Sequence, residues 1–401
     1  MANSAIGVGS AALNGTLRYI GTTSASTDRD LDSAGTTGGA AIDNSGSGAL
    51  AFTGDLVVSG AGSKTLTLTG SNTGANTIAA AVTNYNATNV TSLNKTGVGA
   101  WKLTGNSTYT GATTVAAGSL AVSGNLGNTA IAVASGATFS AQTGSAITFA
   151  GTSAAVGTSS LTLAGGATAS NFTMVDNAIG TFRVGSGGLT TTTGATLPNL
   201  TFEIGNTLGS IDLLDLGTMG GAALIAGGTT LSFASLTGAL SLVLGDYTFM
   251  TATGGLGTTA FTLAANTITV GSNTYNLSLS NSTSGTGVLT VSSSVVAAAN
   301  INLNPAIPGT IDLGGILLGG SKSTTVNLTN SGTAAGSYTA TPSGDATVSS
   351  PTSIGIGANG SSTITVSGVT AGSKSGSVQY GGLGSHRNVD QHGQRHRLRR
   401  R

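Results

Sequence analysis

Two stretches of this 401-residue chain repeat one another. Residues 66–80 read LTLTGSNTGANTIAA, and residues 101–117 read WKLTGNSTYTGATTVAA. Leu68, Thr69 and Gly70 align with Leu103, Thr104 and Gly105. Past a two-residue insertion at Tyr109 and Thr110, Gly74, Ala75, Thr77 and Ile78 align with Gly111, Ala112, Thr114 and Val115. Each unit is a short alternating strand, a Gly/Asn/Ser corner and a second short strand. The run from Gly118 to Gly124 (GSLAVSG) adds a third strand. Such a unit has too few apolar residues to form its own core. It can bury its inward Leu, Val and Ile only by stacking on a neighbour, which is the logic of a solenoid.

A parallel β-helix stacks its rungs about 4.8 Å apart, so outward side chains fall into columns and like charges in a column repel. The composition obeys that limit. Gly, Thr, Ala and Ser make up 58% of the residues, and charged residues are 7%, against about 25% in an ordinary domain. Gly and Asn tolerate the left-handed backbone of tight corners, and Gly this frequent disfavours helices. The same strand-and-corner pattern continues to about residue 293, as in Ser160–Ala164, Thr258–Leu263 and Gly287–Val291. The apolar window Gly221–Gly245 alternates with period 2 and reads as buried strands, not as a membrane-crossing helix. At ~20–25 residues per rung, residues 51–296 predict ten to twelve rungs and about 50–55 Å of solenoid. Residues 1–50 read as a polar lead-in or a β-helix cap. Residues 297–308 read as a linker, and 309–383 as a small β-sandwich with strands spaced 8–12 residues apart.

Several chemistries are excluded by counting. There is no Cys, so disulfides and Cys-based metal or nucleophile sites are impossible. The three His (His386, His392, His396) all fall in the last sixteen residues, which removes a Ser-His-Asp triad from the body. The net charge of +1 is set by the tail 384–401. Residues 1–385 carry 8 basic and 12 acidic groups and offer no footprint for nucleic acid. The tail fits neither strand pattern and reads as aberrant or disordered. No secretory leader, barrel-forming strand run or sorting helix is evident, so the chain reads as an internal or truncated piece.

Residues 94–124, NKTGVGAWKLTGNSTYTGATTVAAGSLAVSG, closely resemble the autotransporter-associated β-strand repeat. The matching positions are Lys95, Thr96, Gly97, Gly99, Trp101, Leu103, Thr104, Gly105, Thr108, Tyr109, Thr110, Gly111, Thr114, Val115, Gly118 and Leu120. The pattern's Asn before Thr108 is Ser107 here. Residues 60–82 look like a degenerate copy. The stretch 246–291 is similar to the segment that closes such regions in large bacterial surface proteins, and 303–381 resembles the Ig-like domains that follow them. The resemblance implies an all-β chain: a right-handed parallel β-helix (solenoid) and then an Ig-like β-sandwich, exported to the bacterial surface. It also implies that the repeat assists passage across the outer membrane.

Candidate chemistry is sparse. Asp28, Asp30 and Asp32 match the first three positions of a calcium loop, but Ser33 and Gly39 replace the Gly and Glu that the loop needs, leaving a polar turn. Asp212 and Asp215 could pose as a carboxylate pair for polysaccharide cleavage, with Glu203 and Arg183 nearby in sequence. An odd step separates them, so they face differently and read as corner carboxylates. Gly7-Val-Gly9-Ser-Ala-Ala12 echoes a dinucleotide loop without its strand and helix. Asn14, Asn86 and Asn281 lie in Asn-x-Ser/Thr triplets and follow from the abundance of those residues. Trp101 and Tyr109 could stack on a sugar ring, or pack within a rung. The reading is a non-catalytic surface or secreted passenger-type protein, structural or adhesive, with no cofactor and no metal. Its partners are surface proteins or glycans, without nucleic acid and without a membrane span. A polysaccharide-cleaving β-helix enzyme and an inert spacer are the alternatives.

Overall fold

The computed structural model describes residues 5–142, 147–148, 158–257, 260–279, 282–296 and 301–381, the last range with short gaps. The chain divides into two compact units at Ser294/Val295. The first is a parallel β-helix. The described residues contain one 3-10 turn, Gly217–Met219, and no helix long and apolar enough to cross a membrane. The tail 384–401 and Asn281 lie outside the described residues.

Rungs are built on two long faces. The first face has nine parallel strands, from Gly15–Tyr19 through Ala40–Asn44, Lys64–Gly70, Thr91–Lys95 and Thr113–Val115 to Ala223–Leu224. The second has ten, from Ala25–Thr27 through Ala100–Leu103, Ser119–Val122, Asn171–Thr173 and Thr229–Ser235 to Phe261–Leu263. The third side begins as Ile6–Val8, Leu31–Ser33 and Leu56–Val57, then runs through loops and resumes as Ile147–Thr148, Thr181–Arg183, Leu213–Asp215 and Gly245–Thr251. The last of these pairs antiparallel with Thr286–Val296, and the hairpin Thr267–Val270/Asn273–Ser278 joins the same sheet.

Strand alternation points every second residue inward. Parallel register then stacks those residues on one another. Ala40, Leu66, Leu93, Thr113, Ile131, Leu161, Leu189 and Ala223 form one buried column on the first face. Trp101, Leu120, Phe139, Phe172, Leu200 and Leu231 form another on the second. Phe182 reaches in from the third side, 5.7 Å from Phe139 and 5.5 Å from Phe172 between ring centres. Outward, Thr138, Asn171, Asn199 and Thr230 stack beside Ser140, Thr173, Thr201 and Ser232. Two ion pairs among the described residues join stacked partners of opposite charge. Arg18 lies over Asp43 at 3.2 Å, and Arg183 over Asp215 at 2.8 Å.

Several features of the β-helix differ from the sequence reading or refine it. The β-helix starts at Ile6, not at residue 51, because two full rungs precede Phe52. Rungs are less uniform than 20–25 residues: Leu66 pairs with Leu93, Thr113 with Ile131 and Leu189 with Ala223, steps of 27, 18 and 34 residues. Loops on the third side absorb the difference. The internal repeat is not one rung. Leu68 stacks on Lys95 on the first face, whereas Leu103 stacks on Ile78 and Val122 on the second. The repeat therefore aligns strands of different faces, since all faces share one inward alternation and Gly-rich corners. Finally, residues 236–244 are not a buried strand. The strand Thr229–Ser235 ends before them, and Leu240, Val243 and Leu244 are exposed.

The second unit is antiparallel throughout its described strands. Ile301–Leu303, Ser321–Asn330, Asn359–Ser367 and Ala346–Ser349 form one sheet in that order, and Thr339–Gly344 pairs with Gly376–Gly381. Ile301, Leu328, Tyr338 and Ile354 make its small core. Ile301–Leu303 thus belongs to the sheet, although the sequence placed it in a linker over 297–308.

Truncating an inward ring leaves a void the stacked rungs cannot close. Phe172→Ala is expected to lower unfolding free energy by about 3–5 kcal/mol in urea titrations, while Thr162→Ala, on an outward column, changes it by less than about 0.5 kcal/mol.

Candidate functional site

The motif residues occupy the middle rungs, on Thr91–Lys95, Ala100–Leu103, Thr113–Val115 and Ser119–Val122. Inward alternation in Thr91–Lys95 turns Leu93 and Lys95 to the core. Lys95 lies in a buried column between Leu68 and Val115. A cation there needs oxygen partners. Its Nζ donates to the carbonyls of Thr96 (2.8 Å), Gly97 (2.8 Å) and Ala117 (2.9 Å). Ala117 lies one rung further on, so the ammonium ties two successive corners together. Burial pushes Lys95 down to about 8.

The corner itself requires glycine. Gly97 has φ +67°, and a Cβ on it would lie 2.5 Å from the carbonyl of Gly70 in the rung before. Gly118 repeats this one rung on, with φ +65° and the carbonyl of Gly99 at 2.3 Å. Both are motif glycines.

Trp101 and Tyr109, the candidates for sugar stacking, are both buried. Neither ring offers a face to a ligand, which corrects that reading in favour of rung packing. Trp101 Nε1 donates to the Thr69 carbonyl of the preceding rung at 2.9 Å. The Tyr109 hydroxyl shares a 2.6 Å hydrogen bond with Thr113 Oγ1, which lies 2.9 Å from Thr129 Oγ1, and Thr129 donates to the Gly111 carbonyl at 2.7 Å. Burial pushes the Tyr109 hydroxyl well above its ordinary range. Ser107, which replaces the motif's Asn, is buried and its Oγ accepts from the Val82 N–H at 3.0 Å. The replacement keeps a hydrogen bond to the preceding rung. The motif is a set of polar staples between rungs. Lys64 works similarly outside it, with Nζ donating to the carbonyls of Ser33, Gly35 and Gly60. Sequence reading missed both lysines as staples. The available signal was a lysine on the inward phase of an alternating strand.

The carboxylates serve the scaffold too. Asp30 Oδ1 accepts from the Asp55 N–H, and Asp32 from the Ser59 N–H and hydroxyl, each one rung along. Asn14 Oδ1 likewise accepts from the Gly39 N–H, and Asn86 Oδ1 caps a local turn through Thr88 and Asn89. Asp212 and Asp215 are both buried but have separate partners. Asp212 accepts from the N–H groups of Gly180 (2.9 Å) and Glu203 (2.7 Å). Buried Glu203 accepts from three successive N–H groups, those of Asp176, Asn177 and Ala178. They hold Asn177 in its left-handed φ of +67°. Burial pushes Asp212 up to about 7 against its two hydrogen bonds, and the Glu203 and Asp176 carboxylates push the same way. Asp215 is also desolvated by burial, yet hydrogen bonds from Thr218, Arg183 and Thr251 hold it down at about 2. Among the described residues no group of three or more His, Cys, Asp or Glu is placed to hold a metal ion.

Residues 93–122 match the passenger-associated-transport-repeat family. The chain carries an autotransporter passenger-type repeat. A 117-residue stretch, 28% of this chain, is 43% identical to the adhesin BmaC autotransporter of Brucella suis biovar 1 (strain 1330). The match spans about 3% of that relative's length. No solved structure matches the chain. The family match thus falls on the strands bearing Lys95 and Trp101, so the recognisable part of the sequence is the stapled part of the solenoid.

Two measurements probe these groups. Lys95→Met strips three buried carbonyls of their donor and is expected to destabilise the fold by about 3 kcal/mol in urea titrations, against less than about 0.5 kcal/mol for outward Lys102→Met. The second concerns pH. Asp212 in the native state holds its proton up to about pH 7, whereas an unfolded carboxyl releases it near ~4. The native state therefore binds more protons in that window, and stability rises as pH falls from about 7 to about 4, by roughly 2–4 kcal/mol. Asp215 acts oppositely. Its contribution is present above about 4 and is lost as pH falls towards about 2. Urea midpoints are expected to be higher at pH 4.5 than at 7.5, and Asp212→Asn should flatten that difference; equal wild-type midpoints at the two pH values would contradict the assignment.

Proposed function

We propose that this chain is a non-catalytic segment of a bacterial cell-surface passenger protein, structural and adhesive in role, whose rungs assist its own secretion. The observation that supports the reading most directly is the inward placing of the motif. Lys95, Trp101, Ser107 and Tyr109 all face the interior, and each of the first three bonds to a neighbouring rung. A rung that emerges on the far side of a membrane can stack at once on the rung before it, because each contact is between nearest neighbours. Stacking opposes back-sliding and favours forward passage.

The adhesive part of the reading rests on the relative's description as an adhesin and on the outward columns of Thr, Ser and Asn. These are suited to surface proteins or glycans. The carboxylates considered for polysaccharide cleavage are all turned onto backbone N–H groups or Arg183, which favours the non-catalytic reading over an enzyme. In this reading the antiparallel second unit is an Ig-like sandwich, and the chain is extracellular.

Display on bacteria tests the proposal. Behind a secretion leader and fused to an outer-membrane barrel, the wild-type chain is expected to become protease-accessible at the cell surface. The Lys95→Met, Trp101→Leu double variant should lower display at least about fivefold at equal total protein. Equal display would refute the secretion role. Displaying cells should adhere to epithelial monolayers more than barrel-only cells, and equal adherence would refute the adhesive role. Polysaccharide turnover that vanishes in Asp212→Asn would refute the non-catalytic reading.

A further inference from the structure

We propose that Asn86 is a glycosylation site, at which the side-chain nitrogen takes a sugar from a glycosyl diphosphate. The acceptor triplet Asn-x-Ser/Thr occurs eleven times in the chain, a number that its abundant Asn, Thr and Ser account for. The settings of the triplets differ. A transferring enzyme has to take the tripeptide into its cleft, so the triplet must be open to solvent and free of sheet pairing. Among the described residues one triplet, Asn86-Ala87-Thr88, has all three residues exposed and none in a strand. Asn94, Asn171, Asn199, Asn276, Asn327 and Asn359 lie in strands. Asn14 is exposed, but Gly15 and Thr16 after it belong to a paired strand. Asn106 is exposed, but Ser107 beside it is buried, and so is Thr91, which ends the Asn89 triplet.

The loop that carries Asn86 is fastened at its base and open at its tip. Successive connections on the third side run over residues 79–90, 104–112 and 123–129, lengths of 12, 9 and 7 residues. The longest holds the triplet. At its base, Asn84 Oδ1 accepts from the N–H groups of Thr91 (2.9 Å) and Thr110 (3.1 Å), and Asn84 Nδ2 donates to Thr110 Oγ1 at 2.8 Å. Thr91 Oγ1 donates to the Thr83 carbonyl at 2.7 Å. Past Asn84 the four residues from Tyr85 to Thr88 are exposed. A sugar there stands on the third side, away from the outward columns of the two long faces.

The side chain is set up for the transfer. A carboxamide nitrogen is a weak nucleophile, because its lone pair is shared with the carbonyl. Asn86 Oδ1 accepts from the N–H and the hydroxyl of Thr88, both at 3.0 Å, and from the N–H of Asn89 at 2.8 Å. These donors stabilise negative charge on the oxygen and so ease the loss of a proton from Nδ2. The nitrogen attacks the anomeric carbon of the donor sugar. The C–N bond forms as the bond from that carbon to the diphosphate oxygen breaks. The diphosphate leaves with the electron pair, and the Nδ2 proton passes to a carboxylate of the transferring enzyme. Thr88 acts as a positioning residue, through its hold on Oδ1.

Mass analysis of the full chain isolated from its native cells is expected to find a sugar on the tryptic peptide between Lys64 and Lys95, and fragmentation to place it on Asn86 rather than on Asn89 or Asn94. Two reactions on the purified, folded chain separate the donor sources. One uses a soluble N-glycosyltransferase with UDP-glucose, the other a membrane oligosaccharyltransferase with a polyprenyl-diphosphate oligosaccharide. Transfer to Asn86 in either arm supports the site and names its donor. Asn86→Gln and Thr88→Ala should abolish the transfer, and Thr88→Ser should keep it. All three positions are exposed, so the far-UV circular dichroism of the variants should match the wild type. A tryptic digest should accept sugar at further triplets that the folded chain withholds. Asn86 found bare in the native chain would overturn the proposal. So would transfer by neither enzyme, transfer that survives Asn86→Gln, or equal transfer to Asn14 in the folded chain.

Discussion

The parallel hydrogen-bonded register between successive rungs governs this molecule. Once Leu66 lies over Ala40 and Leu93 over Leu66, every neighbouring residue is assigned a partner directly above and below. An inward position is then surrounded by inward positions, and an outward one by outward positions. This explains the near absence of charge more directly than any demand for solubility. A charged residue at an outward site meets its column neighbours at about 4.8 Å, and that is favourable only when the neighbour has the opposite sign. Arg18 over Asp43 and Arg183 over Asp215 satisfy that condition. The abundant Thr, Ser and Asn satisfy it by carrying no charge at all.

The all-β class, the solenoid principle and most second-unit strands were legible in the sequence because they rest on period-2 alternation and turn chemistry, which are local. The face assignment was not. The 66–80 and 101–117 copies are alike in sequence but sit on different faces, because an inward Leu on one face and an inward Leu on the next answer the same requirement. Residues 236–244 mislead for a related reason. Their alternation is strand-like, but a strand also needs an edge to pair with, and the chain takes Gly245–Thr251 to the third side instead. The site was legible only in part. The motif marked Lys95, Trp101 and Tyr109, but whether an aromatic in a rung faces in or out depends on the phase of its strand. A one-residue shift of strand phase would have turned the same letters into a surface platform.

Self-similarity that confuses an alignment also confronts the folding chain. If a first-face strand resembles a second-face strand, an apolar column of Leu, Val and Ile discriminates weakly between correct stacking and a slip by one face or by two residues. Desolvating the Lys95 cation offsets much of what its hydrogen bonds return, so the cost of losing it lies mostly in the three carbonyls left without a donor. Its effect is selective. The ammonium finds three carbonyls only when its rung is followed by the corner that ends in Ala117 and Gly118. Trp101 finds its acceptor only over Thr69, and Ser107 its donor only beside Val82. Each wrong register leaves a buried polar group without a partner, a penalty larger than the loss of one apolar contact. The polar staples thus impose on a repetitive sequence the single register that its apolar residues leave nearly degenerate. For a chain whose rungs stack in sequence, an error in the middle would be inherited by every rung added afterwards, and the stapled segment lies in the middle rungs of both long faces.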